Sequence, residues 1–324
     1  MGRVIGSVLA VLLAVVAVAG DRIAPNNADT QFADRAWAPP MSIRIDGVAP
    51  YVNPQVLEDR LARIYTNDTS TRIPLRVFAS GRAIAAEDTD GGPVLLLGAD
   101  ALGRDVLARV AEASRYSLGV AIAGALLALL IGTLFGALAA SIGPRTDRAI
   151  ITVADALASL PVIYIVLTLR AALPLVLVPS DVFIALSLLF GLVGWPFTAR
   201  GVRGIVHREW ALPYAEAALA AGASRLRVLV VHLLPATFGF LGTQFLLLVP
   251  GFLISEVTLS FLGLGFPEPT PSWGTMLQAA SNVRVMAEAP WMLAPAVALA
   301  LTSLALHLLS GRRKDALTVF SRAR

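Results

Sequence analysis

Apolar residues fill this chain in long blocks rather than in stripes. Residues 117–140, 181–198 and 290–309 are nearly unbroken hydrocarbon. A helix at the surface of a soluble protein alternates apolar and polar faces at helical spacing, and these blocks do not. A stretch of about 20 such residues crosses a bilayer as one helix. The pattern predicts an all-α polytopic membrane protein with about six spans, at residues 1–20, 117–140, 150–172, 181–200, 236–260 and 290–309. The first, VIGSVLAVLLAVVAVAG at 4–20, follows Arg3 and ends in small residues. It reads equally as a cleavable signal segment or as a first membrane helix, and both place residue 21 outside the cytoplasm.

Polarity rises in two places. The first is residues 21–115, where eleven arginines stand against thirteen acids. Inside it MSIRIDG (41–47) and IPLRVFASG (73–81) alternate apolar and polar positions, the period of a half-buried strand. A small extracytoplasmic insert over 21–96 is expected, partly β or else aperiodic coil. The second is a loop over 209–235 carrying YAEAALAAGASRLRVLVVHLLP (214–235). Pro213 suits a first helical turn, where its missing N–H goes unmissed. Tyr214, Ala217, Ala218 and Ala221 then share one stripe, at spacings of three and four. The stripe is mostly methyl groups, thin enough for another surface to approach the backbone. Gly222 can adopt the left-handed conformation that ends a helix. A second short helix over 224–233 would carry Leu226, Leu229, Val230 and Leu233 on one side, with Pro235 starting the return into the membrane. Such a helix–turn–helix either docks a partner or rests on lipid, which Arg225 and Arg227 would suit. The residues alone leave both open.

Arginines in short loops set the orientation. Residues 143–148, 200–232 and the tail from 311 are basic, while the loops between the third and fourth and between the fifth and sixth spans are not. Six spans then alternate with both termini, and the 209–235 loop, in the cytoplasm.

Composition narrows the chemistry. Hydrophobic residues make up 56% and charged ones 15%, against about 25% charged in an ordinary soluble domain. There is no cysteine, hence no disulfide and no thiolate metal site. The net charge of +4 gives no reason to invoke nucleic acid. The single lysine, Lys314, is followed by Asp315, so a phosphate-binding Gly-Lys-Ser/Thr loop is excluded and the chain has no ATP site of its own. His207, His232 and His307 lie too far apart in sequence to pair as metal ligands on one helix. A rival class is an intramembrane serine hydrolase built on Ser224 and His232. Eight residues separate them, about 12 Å on a continuous helix and out of hydrogen-bond reach. Asp155, Arg170 and Glu256 fall near predicted spans and are either path-lining groups or interfacial ones. GLG at 263–265 follows no strand and is a turn, not a dinucleotide fingerprint.

Residues 216–235 resemble the EAA loop of binding-protein-dependent ABC importer permeases. That pattern is Glu-Ala-Ala, three residues, Gly, nine residues, an apolar residue or His, any residue, then Leu-Pro. Glu216, Ala217, Ala218, Gly222, His232, Leu234 and Pro235 supply every element. LGADALGRDVLARV (97–110), with Gly98, Asp100, Gly103, Arg104 and Asp105, resembles the segment before the second helix in the C-type subunit of the dipeptide/oligopeptide/nickel permeases. DALASLP (155–161) and EVTLSFLGLGFPEPTPSWGTML (256–277) are similar to two further segments of that family. The likeness covers about 97–317, within a permease domain placed at 97–324. Ala99 stands where the family has Thr and Ala108 where it has Ser, the tail lacks Asp-Pro after Asp-Ala-Leu, and the insert is long. The resemblance implies a type I importer subunit in the bacterial inner membrane, not itself an enzyme and holding no cofactor. It implies a homologous second permease, two ATPase subunits that bind ATP and Mg, an extracytoplasmic solute-binding protein, and a 209–235 loop seated in the ATPase as a coupling helix.

Overall fold

The computed structural model describes residues 2–46, 49–60, 62–86, 92–159, 161–172, 174 and 177–310. The basic tail from 311, with Lys314, lies outside them. The chain divides into two compact units: one is Val120–Glu256 with residues 2–3 and 306–310, the other Val4–Gly119 with Val257–Ala305.

The second unit begins with α1 (Gly2–Ala19), an apolar helix closed by a 3₁₀ turn over Gly20–Arg22. Six strands follow: β1 (Arg44–Asp46), β2 (Ala49–Val52), β3 (Gln55–Asp59), β4 (Ile64–Asn67), β5 (Ile73–Ala79) and β6 (Arg82–Ala86). They form an antiparallel sheet ordered β1-β2-β5-β6 and a separate β3–β4 pair. Ala38, Met41, Val52, Ile73, Leu75, Val94, Leu95 and Ala99 bury themselves against one another as its core. The chain then enters α2 (Val106–Ile142), a 37-residue helix that begins eleven residues before the expected span.

In the first unit α3 (Pro144–Ser159) starts after a single residue, Gly143, where a six-residue loop was expected. Pro144 at its first position and Asp147 in its first turn are good helix starters. The single third span expected at 150–172 is split, because α3 ends at Ser159 and α4 (Val162–Ala171) begins after Pro161. Proline lacks the donor needed to continue the ladder and pushes the preceding residue out of the α region. α5 (Pro179–Trp210) runs ten residues past its expected end and passes through Pro196. Then come α6 (Pro213–Ala220) and α7 (Arg225–Val228). A π-helical turn (Leu229–Leu233) and a 3₁₀ turn (Leu234–Thr237) join α7 to α8 (Phe238–Phe261) without a break. The short helix expected at 224–233 is therefore the start of the fifth span, not a separate element. Pro235 cannot bond the carbonyl four residues back, and the wider turn before it accommodates the missing bond. Back in the second unit, α9 (Trp273–Ala280), α10 (Val283–Glu288), a 3₁₀ turn (Pro290–Leu293) and α11 (Ala294–Ser310) complete the chain. Ser272 caps α9 with a full capping box.

Among the described residues five helical stretches are long and apolar enough to cross a membrane: 4–22, 106–142, 179–210, 225–261 and 290–310. The packing gives their directions inside the first unit. A methyl group built on Gly124 would stand 2.6 Å from Phe190 Cβ, one on Gly194 3.0 Å from Ala128 Cβ, and one on Gly136 2.9 Å from Val202 Cβ. Gly132 likewise abuts Thr198. Each partner lies 66 residues further on, so α2 and α5 run parallel with their backbones nearly touching. Gly201 meets Phe240, and Phe252 stacks on Phe190 at 4.9 Å, so α8 runs antiparallel to α5.

Candidate functional site

The EAA-like segment is built on the end of α5. After Trp210 the chain turns at Ala211 and Leu212, whose N–H groups donate to the carbonyls of Arg208 and Glu209 at 3.2 Å each. Pro213 then opens α6. Tyr214 donates its hydroxyl to Glu209 Oε2 (2.9 Å), and Arg208 holds the other carboxylate oxygen (2.7 Å). This anchors the first turn of α6 to α5. Burial and donation to Glu209 push the Tyr214 phenol pKa above its ordinary value.

α6 ends at Gly222, which has a φ of +88°. Gly222 N–H donates to Leu219 O (2.9 Å) and Ala223 N–H to Ala218 O (3.0 Å), the pair of bonds that defines a Schellman close. No other residue takes that φ without strain. Ser224 caps α7, its Oγ accepting the N–H of Arg227 at 3.3 Å.

These two helices form a knob with an apolar seat. Ala215, Val228, Leu229 and Leu233 are buried together with Val202 and Val206 of α5 and Ala137 of α2, and Ala218, Leu219 and Ala223 pack against the edge of that cluster. The outward side carries Tyr214, Glu216, Ala217, Ala221 and Gly222, all exposed, with Ala218 half-buried. His232 and Pro235 are exposed and Leu234 is half-buried. The four residues expected on one side of the second helix divide. Leu229 and Leu233 are buried, whereas Leu226 (70% exposed) and Val230 face outward. The seat meets only one edge of that stripe, because Val228 joins it from the other side. Ser224 and His232 lie on the exposed surface of this knob, and the serine oxygen is engaged as a cap. The hydrolase alternative finds no support.

The Gly98–Asp105 motif is a second construction, in the other unit. Asp100 Oδ1 accepts the N–H groups of Leu102 (2.8 Å) and Arg104 (3.0 Å), and its Oδ2 takes Arg104 Nε at 2.7 Å. Arg104 Nη1 reaches Glu268 Oε2 at 2.8 Å, and Arg109 Nη2 reaches Glu268 Oε1 at 3.3 Å. Two arginines and two acids thus tie the entry to α2 to the loop after α8. Trp291 Nε1 donates to Ala99 O at 3.0 Å. Gly98 has no room for a side chain, since a Cβ there would stand 2.7 Å from Ala38 O, and Gly103 is blocked by Phe32 in the same way. Asp105 is the N-cap of α2, its Oδ1 accepting from Leu107 N–H at 2.9 Å. Glu268, Arg109 and Trp291 went unassigned in the sequence reading; their partners lie 164, 159 and 192 residues away along the chain.

The remaining candidates separate. Asp155 on α3 is exposed and ion-paired with Arg200 of α5 at 2.5 Å. Arg170 on α4 is buried and donates to Pro174 O at 3.1 Å. Glu256 is buried in α8. Among the described residues no group of three His, Asp or Glu is placed to hold a metal ion.

Residues 132–312, more than half of the chain, match the family described as binding-protein-dependent transport system inner membrane component. The chain belongs to this family. It is 35% identical over 221 residues to the oligopeptide transport system permease protein OppC of Haemophilus influenzae, covering 68% of each. It is 34% identical over 221 residues to the OppC of Bacillus subtilis, covering 68% of this chain and 70% of that one. To the dipeptide transport system permease protein DppC of Bacillus subtilis it is 34% identical over 222 residues, covering 68% and 67%. As a family member it is a transport permease subunit spanning the membrane.

Proposed function

We propose that this chain is one half of the translocation path of an ATP-driven importer for peptides or a related small solute. It pairs with a homologous permease, two ATPase subunits and an extracytoplasmic solute-binding protein, with both termini and the α6–α7 knob in the cytoplasm of a bacterial inner membrane. The peptide relatives support the substrate class. The observation that carries the coupling role is the two-sidedness of the knob: small and exposed outside, aliphatic and buried inside.

That geometry transmits force. A groove on the ATPase that closes on Tyr214, Ala217 and Ala221 meets few rotamers to freeze, so little of the contact energy is lost to ordering. The displacement passes through Ala215, Val228, Leu229 and Leu233 into Val202 and Val206 of α5 and Ala137 of α2. Close-packed aliphatic contacts are stiff and move as a body. The two helices reached are the pair packed backbone to backbone, so α2 and α5 swing together.

Gly222→Pro tests this. It removes the N–H that donates to Leu219 O and forbids the positive φ. The variant inserts into the membrane normally but loses substrate-stimulated ATP hydrolysis by the reconstituted assembly. Cysteines at Ala218 or Ala221 crosslink to the ATPase subunit. Normal coupled turnover in Gly222→Pro, or crosslinks from both positions to lipid alone, would defeat the proposal.

A further inference from the structure

The β5–β6 hairpin carries an exposed aromatic near its tip and is tied to the residues that follow α1. The end of α1 is level with residues 111–115 of α2: Arg115 donates to Val18 O at 3.0 Å, and a Cβ on Gly20 would stand 2.7 Å from Ala111 O. Residues 106–110 of α2 therefore project beyond that level by about 7 Å at 1.5 Å per residue. The insert's core is held at the projecting end, where Val106 N–H donates to Gly98 O at 3.1 Å. β5 leaves that core after Ile73 and Leu75. At its far end Arg82 donates to the carbonyls of Asp21 (3.1 Å), Ala24 (2.8 Å) and Asn26 (3.2 Å), the first residues after the span. A cation on the carbonyls that follow a helix is a stable tie.

The tip itself is apolar and uncovered. Ser80 and Gly81 both have positive φ, the two-residue turn that suits a twisted hairpin. Just before them Val77 is 62% exposed and Phe78 87% exposed. Phe78 also holds a φ of +56°, rare for a bulky side chain. A strained, exposed phenylalanine points to a function rather than to packing. Arg22, the last residue of the turn that closes α1, is exposed; at the headgroup level cations meet phosphate and an aromatic ring meets acyl chain.

We propose that this hairpin is a foot on the bilayer, with Phe78 and Val77 immersed at the headgroup–acyl boundary of the leaflet where α1 emerges. The occupant is phospholipid. The absence of native cysteine makes the test direct. Single cysteines are placed at Phe78, at Val77, whose backbone is ordinary, and at Thr69, an exposed residue beyond the opposite end of β5. Each variant of the full-length chain is spin-labelled in phospholipid nanodiscs with the subunits that copurify with it. Collision with oxygen and with a water-soluble nickel chelate then gives the depth. Labels at 77 and 78 are expected about 5–10 Å below the phosphates, and the label at 69 in water. If 77 and 78 are as accessible to the chelate as 69, the foot does not touch lipid. If they are shielded from both reagents, a protein covers the tip instead. Either result overturns the proposal.

Discussion

Asp105 is pulled in two directions at the start of α2. As an N-cap it accepts the N–H groups of Leu107 and Ala108, and its other oxygen accepts Asn26 Nδ2 at 2.9 Å; all three favour the carboxylate. Complete burial opposes them and wins, raising its pKa from 3.8 to about 6. A folded value above the unfolded one means that the native state holds the proton more tightly. Its contribution to stability is then largest below about pH 4, falls between about pH 4 and 6, and is flat above. Asp105→Asn keeps the shape and a capping acceptor without the titration. The variant should gain on the wild type by up to roughly 3 kcal/mol between pH 4 and pH 7, read as the difference in thermal unfolding in detergent. A pH-independent difference would show that burial does not govern this carboxyl. The residue scale is also where sequence was most legible. Gly222 could be assigned as a helix end because its chemistry is local, and the close around it involves only 218–223. Glu268 could not, since what gives it meaning is two arginines about 160 residues earlier.

At the scale of elements, hydropathy located the helices and missed how they pack. Gly124, Ala128, Gly132 and Gly136 recur every fourth residue on α2, a small-residue ridge of the kind that lets membrane helices approach closely. Being apolar, the ridge leaves no trace in a hydropathy profile; spacing alone would have revealed it. Gly132→Leu should strongly destabilise the protein, because the new side chain must displace Thr198 and the Trp195 carbonyl, which a Cβ alone would meet at 2.8 Å. Overpacking of this kind costs about 1–3 kcal/mol or more, visible as a lowered melting temperature. Gly204→Ala, on the same α5 but with nothing near its Cβ position, should be neutral or slightly stabilising. Equal losses in both would mean that helix propensity, not contact, is being measured. Two departures from the family pattern fall at buried positions. Ala99 lies in the core of the insert, and Ala108 packs against Ala24 and Ala28 at the insert's start. A hydroxyl buried at either place costs free energy unless it finds a hydrogen-bond partner.

For the whole molecule the packing of the helices sets the number of crossings. Five helices qualify by length and apolarity among the described residues, yet α2 and α5 run parallel, so the chain between them must return across the membrane. α3 and α4 supply that return. Asp147 pairs with Arg203 (2.6 Å) and Asp155 with Arg200, so α3 runs antiparallel to α5. Together α3 and α4 have 16 and 10 residues, about 39 Å of helix against a hydrocarbon thickness of about 30 Å. The break at Pro161 and the charged first turn hide this crossing from a hydropathy threshold. Six crossings also suit the outer ends of α1 and α11, since Gly2 lies beside Leu308. The count can be read with single cysteines in an otherwise cysteine-free chain. Ile142 and Val178 are both exposed and flank the disputed stretch. A membrane-impermeant maleimide applied to intact cells with the outer barrier opened should label cysteine at Val178 and at Thr69 of the insert. It should reach cysteine at Ile142 and Ala221 only after the inner membrane is permeabilised. Were Val178 to fall on the same side as Ile142, residues 144–171 would dip into the membrane and leave by the same face. The alternation of spans, and with it the cytoplasmic side proposed for the knob, would then have to be redrawn.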